Sequence, residues 1–179
     1  MIKTKSELHF YLQEDARVNG IRSGLSYCIK LVYGNIGACV YRYLKSLRKY
    51  EYNTNIHSPL RFWYRFYNRR LGLKYNLSLP INKIGYGLYI PHIEGGVIVN
   101  CRQIGNLCTL NSGVVVGNRH TNEEVPTIGN NVVLSPKSTV IGAVTLGDNV
   151  IVAPNSVVIK DVPANGVVSG IPATVIKVR

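Results

Sequence analysis

Two histidines in the second half of this 179-residue chain are the side chains best suited to acid–base chemistry. His92 lies in YIPHIEGGVIVN, residues 89–100, and His120 lies in GNRHTNEEVP, residues 117–126. Imidazole changes its charge near neutral pH, so a positioned histidine can take the proton of an attacking hydroxyl group. We therefore treat His92 as a candidate general base.

Cysteine and metal chemistry are the alternatives to a histidine base. Cys101 and Cys108 are candidate nucleophiles for a covalent acyl intermediate, but no base beside them would activate a thiol. A zinc hydro-lyase needs three histidine ligands, and residues 81–179 contain two. No G-x-x-x-x-G-K or G-x-G-x-x-G loop is present to cradle a nucleotide. We expect no metal.

A six-residue repeat surrounds both histidines. Aliphatic residues recur at every sixth position in one register: Ile98, Ile104, Leu110 and Val116, and then Ile128, Leu134, Val140, Leu146, Val152 and Val158. The register slips to eight residues between Ile90 and Ile98, and GNRHTNEEV interrupts it again. Each interruption carries one of the two histidines.

A period of six is neither that of a helix nor that of a long alternating strand, so each hexad predicts a short strand and a turn. Three hexads close one triangular coil, with the aliphatic side chains inward and Gly or Asn in the turns. The sequence therefore predicts a mainly β fold, a left-handed parallel β-helix over residues 76–179 with an extended loop at 117–126.

The first half of the chain has a different composition, which indicates a helical region over residues 1–75. Residues 1–80 contain 14 Lys and Arg against 4 Asp and Glu, whereas residues 81–179 contain 7 against 5. Ten of the twelve tyrosines, the single Trp and all three Phe also precede residue 81. We expect one helix with its N-cap at Ser6 and another near residues 24–50.

The stretch SPLRFWYRFYNRRLGLKY, residues 58–75, mixes aromatic and basic side chains. Such a helix packs its rings on the trimer and leaves its arginines in water, lies on an anionic membrane, or binds nucleic acid. No nucleic-acid motif supports the last alternative, so we expect no nucleic acid and leave a peripheral membrane contact open. The chain has no evident export signal, and its four cysteines form no C-x-x-C pair, which favours a cytoplasmic protein.

Two segments carry a resemblance to a known family. The hexads followed by VIKDVPANGVVSGIPATVIKV, residues 158–178, resemble the C-terminal half of hexapeptide-repeat acyltransferases. LPINKIGYGLYIPHIEGGVIVN, residues 79–100, is similar to serine acetyltransferase-like enzymes, including those of surface-polysaccharide genes. The resemblance implies an acetyl-CoA-dependent O-acetyltransferase.

The resemblance also implies roles for individual residues. His92 matches the catalytic base, and Arg119 with His120 resembles the Arg-His pair that holds the substrate. The residues expected along the coenzyme A groove are Ala153, Lys160, Gly170, Pro172 and Ala173. The groove needs a wall from each of two subunits, so a homotrimer is expected.

The acceptor is where this chain departs from the serine enzymes. Pro91 stands where they have an acid before the histidine, and NLSLPIN, residues 76–82, lacks the acid of the first coil. Asp15 matches an acidic substrate-binding position, but the next expected acid is Asn19. An ammonium group would lack counter-charges, so we expect a sugar hydroxyl acceptor contacted by neutral groups such as Asn111. Serine O-acetyltransferase activity and a non-catalytic trimeric scaffold are the alternatives.

Overall fold

The computed structural model describes residues 1–22, 24–119, 121 and 123–179. Four helices come first in the described chain: α1 (Lys5–Val18), α2 (Leu25–Val32), α3 (Ile36–Asn55) and α4 (Leu60–Tyr75). The strands that follow are β1 (Leu77–Ser78), β2 (Val97–Val99), β3 (Gln103–Ile104), β4 (Thr109–Leu110), β5 (Val114–Gly117), β6 (Thr127–Ile128), β7 (Val133–Leu134), β8 (Thr139–Ile141), β9 (Thr145–Leu146), β10 (Ile151–Val152), β11 (Val157–Val158), β12 (Gly166–Gly170) and β13 (Ala173–Val178).

The strands form the three faces of a triangular prism. Face 1 consists of β1, β2, β5, β8 and β11, face 2 of β3, β6 and β9, and face 3 of β4, β7, β10, β12 and β13. Neighbouring strands are parallel, as β5 and β8 are, except that β13 returns antiparallel to β12. Because the chain visits the three faces in turn, each coil adds one strand to each face. The predicted left-handed parallel β-helix, preceded by an α-helical region, is confirmed.

The aliphatic residues of the repeat fill the inside of the prism. Thr127 pairs with Thr145, so one regular coil takes 18 residues, or three hexads. The six leading aliphatics are each at most 1% exposed: Ile128, Leu134, Val140, Leu146, Val152 and Val158. A fully buried aliphatic side chain of this size contributes roughly 1.5–3 kcal/mol, so this column stabilises the coils.

The first interruption of the repeat adds residues at an edge of the prism. Tyr89 pairs with Thr109, and Val97 pairs with Val114. The chain therefore takes eight residues from Tyr89 to Val97 but only five between their partners, from Thr109 to Val114. The three extra residues lie between Tyr89 and Val97, in the segment that carries His92. We name the line where the chain passes from face 3 to face 1 edge I; its segments are 91–96, 111–113, 135–138 and 153–156.

The same extra residues change which side chain points inward. Ile98 is 56% exposed, whereas Val97 and Val99 are buried. A shift of one residue turns the side chains of a strand to the opposite face of the sheet. The next inward position of the repeat after Ile90 comes nine residues later and not eight. The predicted inward position of Ile98 is therefore wrong, and Val99 takes it.

The second interruption lies where the chain passes from face 1 to face 2, which we name edge II. Eleven residues separate Val116 from Thr127, against five between their partners Val140 and Thr145. The segments of edge II are 100–102, the described residues of 118–126, 142–144 and 159–161. The six extra residues belong to the predicted loop.

The helix starts differ from those predicted. α1 begins after Thr4, whose side chain accepts from the backbone N–H of Glu7 at 3.1 Å while the Glu7 carboxylate accepts from the backbone of Thr4. This reciprocal pair satisfies two free N–H groups, so Thr4 and not Ser6 is the N-cap. The helix predicted near residues 24–50 is two helices, because Gly34 has φ +69° and the Asn35 side chain caps α3.

A buried ion pair joins the helices to the first coil. Arg48 and Asp15 are both fully buried, and Arg48 Nε donates to Asp15 Oδ2 at 2.9 Å. Arg48 Nη1 also donates to the Ile84 carbonyl at 2.8 Å. The backbone N–H groups of Gly87 and Leu88 donate to Asp15 Oδ1 at 2.9 and 3.2 Å. The backbone just before the first interruption is therefore held by helical side chains.

The helical part ends close to the predicted boundary, since α4 ends at Tyr75 and β1 begins at Leu77. The division into separate domains at residues 75 and 76 stays a prediction. None of the helices in the described ranges has the length and apolar character needed to cross a membrane.

Candidate functional site

His92 projects from the first turn of edge I. Its side chain is 60% exposed, and Nδ1 lies 3.8 Å from Oε2 of Glu94, a charge contact rather than a hydrogen bond. The turn rests on the next coil, where the Gly95 N–H donates to Ser112 Oγ at 2.7 Å. A Cβ at position 95 would lie 2.6 Å from that oxygen, so only glycine fits. A fixed backbone thus presents an accessible imidazole.

A cavity of about 330 Å³ lies against the residues just before His92 and is lined by Tyr89, Ile90 and Pro91 together with residues of the helical region. Asn19 and Lys30 supply polar groups to its wall, and its described lining contains no Asp or Glu. Its volume falls within the roughly 300–1,000 Å³ of small-molecule sites.

Asn19 is the most constrained polar group of that cavity. It is 7% exposed, and its Nδ2 donates to the Leu88 carbonyl at 2.9 Å and to the Asp15 carbonyl at 2.8 Å. Its Oδ1 is buried and accepts no hydrogen bond from the described residues. A buried acceptor without a donor is costly. Because this oxygen has almost no accessible surface, Asn19 holds the backbone at Leu88 and does not offer its oxygen to the cavity.

A second cavity, of about 630 Å³, lies on the other side of the His92 turn. Glu94 and Gly95 line one end, Arg69 and Leu73 of α4 line another, and Ile98 of face 1 contributes an apolar wall. The turn with His92 therefore has open space on both sides.

Several predicted site residues share edge I with His92. Asn111 lies one coil further, and its Nδ2 donates to the Leu134 carbonyl at 3.0 Å, so this amide group supports the turn. Ala153 lies about three coils, or roughly 14 Å, from the His92 turn at the usual strand spacing. The Gly170 N–H donates to Ser156 Oγ at 3.2 Å, which continues the edge to the last coil. Pro172 follows in the turn from β12 to β13, and Ala173 is the first residue of β13.

Arg119 and Lys160 lie on edge II instead. Both are exposed. A Cβ at Gly142 would lie 3.6 Å from Cβ of Arg119, so the arginine stem covers the neighbouring turn of that edge. His120 lies outside the described residues. Face 1 separates the two edges by four strand residues, about 13 Å, so His92 and Arg119 of one chain do not meet.

Asp15 lies inside the protein, in the buried pair with Arg48. Both of its carboxylate oxygens are engaged, by the guanidinium group and by two backbone N–H groups. This structural contact is one that the sequence did not indicate. The substrate contact of Asp15 stays a prediction.

The cysteines of the β-helix are poor nucleophiles. Cys101 and Cys108 are at most 1% exposed, and burial raises the pKa of each thiol to about 11. The reactive form of cysteine is the thiolate, which such a pKa suppresses at neutral pH. This environment disfavours the acyl-enzyme alternative.

Among the described residues, no three His, Cys, Asp or Glu side chains come together as a metal site would require. The expectation that no metal takes part stays a prediction, since His120 is not among those residues.

Sequence reasoning missed three groups around the turn of His92. Glu94 follows two positions after the histidine, and its proximity to the imidazole depends on the turn. Lys30 and Asn19 are distant from His92 in sequence, and helix packing brings them to the cavity beside Pro91. One indirect indication of Asn19 was present in the sequence, because this residue stands at the position where the resemblance predicts a second acidic residue.

The chain is similar to known transferases in sequence and in structure. The model of the bacterial transferase hexapeptide (six repeats) family matches residues 126–160. No curated protein is significantly similar in sequence.

Solved structures match nearly the whole chain. The soybean serine acetyltransferase apoenzyme matches with a TM-score of 0.78 and 23% identity over 96% of this chain and 70% of its own. Serine acetyltransferase from Brucella abortus strain S19 matches with a TM-score of 0.71 and 19% identity, over 96% of this chain and 69% of its own. A serine acetyltransferase in complex with CoA matches with a TM-score of 0.62 and 20% identity, over 77% of this chain and 57% of its own. The chain thus spans between 57% and 70% of the lengths of these proteins.

Residues 126–160 of the chain therefore match the bacterial transferase hexapeptide (six repeats) family. The helices and β-helix of the chain together have the fold of the serine acetyltransferases, as the resemblance in sequence predicted.

Proposed function

We propose that this protein is an acetyl-CoA-dependent O-acetyltransferase with His92 as general base. The observation that carries this proposal is the exposed imidazole on a fixed turn, in line along edge I with the small residues Ala153 and Gly170. One protein of the same fold is a serine acetyltransferase in complex with CoA. The proposal assigns that same donor to this chain.

In the proposed reaction His92 takes the proton as the acceptor oxygen attacks the thioester carbonyl carbon. The tetrahedral intermediate collapses, the C–S bond breaks, and the leaving coenzyme A thiolate takes the proton back from His92. Attack is direct, without an acyl-enzyme, which agrees with the suppressed thiolates of Cys101 and Cys108. Glu94, 3.8 Å from Nδ1, would stabilise the imidazolium formed in between.

We propose a sugar hydroxyl, of the kind acetylated in surface-polysaccharide synthesis, as the acceptor. The support is the cavity next to Pro91, whose described lining offers Lys30 but no carboxylate. An ammonium group would enter it without a counter-charge, which is costly away from water. A neutral hydroxyl does not carry that cost, and Tyr89, 39% exposed, offers a ring for stacking.

L-Serine is the second candidate acceptor. The proteins of the same fold that match most of this chain are serine acetyltransferases, and Glu94 is an exposed carboxylate within reach of His92. An ammonium group placed on the Glu94 side of the turn would have a counter-charge there.

We propose a homotrimer because the predicted site residues lie on two edges of one chain. Ile98 and Val115 pair on face 1 between those edges, and both are exposed outward, at 56% and 37%. Packing three faces 1 around an axis would cover these side chains. It would also bring edge II of one copy, with Arg119 and Lys160, to edge I of the next. The four free thiols agree with a cytoplasmic location, which stays part of the proposal.

Thioester turnover and coenzyme A binding together separate this function from a trimeric scaffold. We expect purified protein to bind coenzyme A by calorimetry and to release thiol from acetyl-CoA. Protein that binds coenzyme A and shows no thioester turnover with any hydroxyl acceptor would leave the scaffold as the better account.

A further inference from the structure

Helix α4 presents large apolar side chains outward. Phe62, Trp63, Phe66 and Leu73 are 63%, 62%, 57% and 73% exposed. The buried side of the same helix is formed by Asn68, Leu71 and Tyr75. These rings thus do not pack on their own chain, which leaves open their packing on the trimer, on an anionic membrane or on nucleic acid.

The same outward side is strongly basic. α4 contains Arg61, Arg65, Arg69, Arg70 and Lys74 and no acidic residue. At 100° per residue, Phe62, Phe66 and Leu73 follow the middle of the exposed side. Arg65 and Arg69 then flank this stripe on one side, and Arg70, Lys74 and Trp63 on the other. We name these eight residues the basic–aromatic face: Phe62, Trp63, Arg65, Phe66, Arg69, Arg70, Leu73 and Lys74.

We propose that the basic–aromatic face docks on an anionic lipid bilayer, with α4 lying in the plane of the surface. An apolar stripe flanked by Arg and Lys is the pattern of interfacial helices, whose rings enter the headgroup boundary while the cations meet lipid phosphates. The charge is complementary to such a surface. It opposes docking on the same face of a second copy, because each face would bring four cations against four.

The basic–aromatic face borders a cavity that reaches the turn of His92. Arg69 and Leu73 line the 630 Å³ cavity that ends at Glu94 and Gly95. Docking would therefore bring the His92 turn close to the bilayer surface. The docking itself does not depend on which reaction the site performs.

Trp63 supplies a direct probe because it is the single tryptophan of the chain. We expect its emission to shift to the blue when the full chain is mixed with phosphatidylcholine vesicles containing phosphatidylglycerol. Phosphatidylcholine alone should have little effect, and added salt should weaken the shift because the attraction is screened. Cosedimentation with the same vesicles gives the partition coefficient.

The charge variant Arg65→Gln/Arg69→Gln/Arg70→Gln should lower partitioning on the order of a hundredfold, from three basic residues near an anionic surface. Phe62→Ser/Phe66→Ser should abolish most of the blue shift. The matched control Lys3→Gln/Arg22→Gln/Arg179→Gln removes the same charge from exposed sites elsewhere and should bind like the unmodified chain. Circular dichroism confirms that each variant is folded.

Three results would overturn the proposal. One is equal binding of the charge variant and the control. Another is a blue shift that grows with protein concentration without vesicles, which would identify a second copy as the occupant. The third is tight binding of a nucleic-acid oligomer that quenches Trp63, with no response to vesicles.

Discussion

At the residue scale, His92 combines exposure with a rigid support. Its turn is tied to the next coil through Gly95 and Ser112, while its imidazole stays accessible and faces Glu94. A general base needs both properties, since the imidazole must reach the proton of the acceptor hydroxyl and must keep its position relative to that hydroxyl.

His92→Ala should lower kcat by about 10² to 10⁴, the usual contribution of a general base. Coenzyme A binding, measured by calorimetry, should survive because the donor residues lie further along edge I. His9→Ala, at an exposed histidine of α1, is the control and should retain activity. Near-normal kcat in His92→Ala would remove His92 from the role of base.

Glu94→Gln should reduce kcat by about tenfold, equivalent to about 1.4 kcal/mol of barrier. The reason is that the imidazolium formed during proton transfer would then lack a carboxylate beside Nδ1. Glu14→Gln, in the exposed pair with Arg17, should leave kcat unchanged. An unchanged kcat in Glu94→Gln would remove Glu94 from the role of stabilising the imidazolium.

The thiols should differ sharply in reactivity. Cys28 is exposed, whereas burial raises the pKa of Cys101 and Cys108 to about 11. Titration of the folded protein with a thiol reagent should modify Cys28 rapidly and leave Cys101 and Cys108 protected. Cys28→Ser should then show no rapid phase and keep its activity. Inactivation by modification of Cys108 would reopen the acyl-enzyme alternative.

Residue-level prediction from the sequence succeeded where the repeat was regular. The six-residue period placed Ile128 and Leu134 inside the prism, and the break in the period identified the turn of His92. It failed at Ile98, because the number of extra residues in a turn cannot be counted from neighbouring aliphatics. It also missed Glu94, since proximity to His92 depends on how that turn folds.

At the scale of elements, the helices hold the first coil through the buried pair of Asp15 and Arg48. This contact links α1 and α3 to the backbone of Gly87 and Leu88. Sequence patterns indicated helices in this half, but the reciprocal cap at Thr4 and the break at Gly34 moved their boundaries. A long-range ion pair leaves no periodic signal, which is why the structural contact of Asp15 was not predicted.

Asp15→Ala should destabilise the protein by about 3–5 kcal/mol. The buried Arg48 guanidinium then keeps only Glu51, at 3.5 Å, as a counter-charge, and the N–H groups of Gly87 and Leu88 lose their acceptor. The triple variant Asp15→Asn/Arg48→Met/Glu51→Gln should be less destabilised than the single variant, as removing all three charges leaves none of them buried and unpaired. Urea unfolding measures both. Unchanged stability of Asp15→Ala together with a raised acceptor KM would favour the substrate role that the resemblance implies.

At the scale of the whole molecule, the proposed trimer depends on face 1. Ile98→Arg should leave the chain folded, since this side chain points outward, and should weaken assembly by placing a charge in the interface. Light scattering should give about 60 kDa for the unmodified protein, three times the 19.9 kDa chain, and a lower mass for the variant. Leu107→Arg, at an exposed residue away from face 1, is the matched control. An active monomer would contradict the shared site.

The most direct test of the account is thiol release from acetyl-CoA with different acceptors at matched concentrations. We predict slow release without acceptor and saturable acceleration by a glycan or nucleotide-sugar. We also predict little effect of free L-serine and loss of the acceleration in His92→Ala. The physical reason is the cavity beside Pro91, which offers a cation at Lys30 but no described carboxylate. Efficient, saturable acetylation of L-serine would contradict this account and assign the protein to serine acetylation.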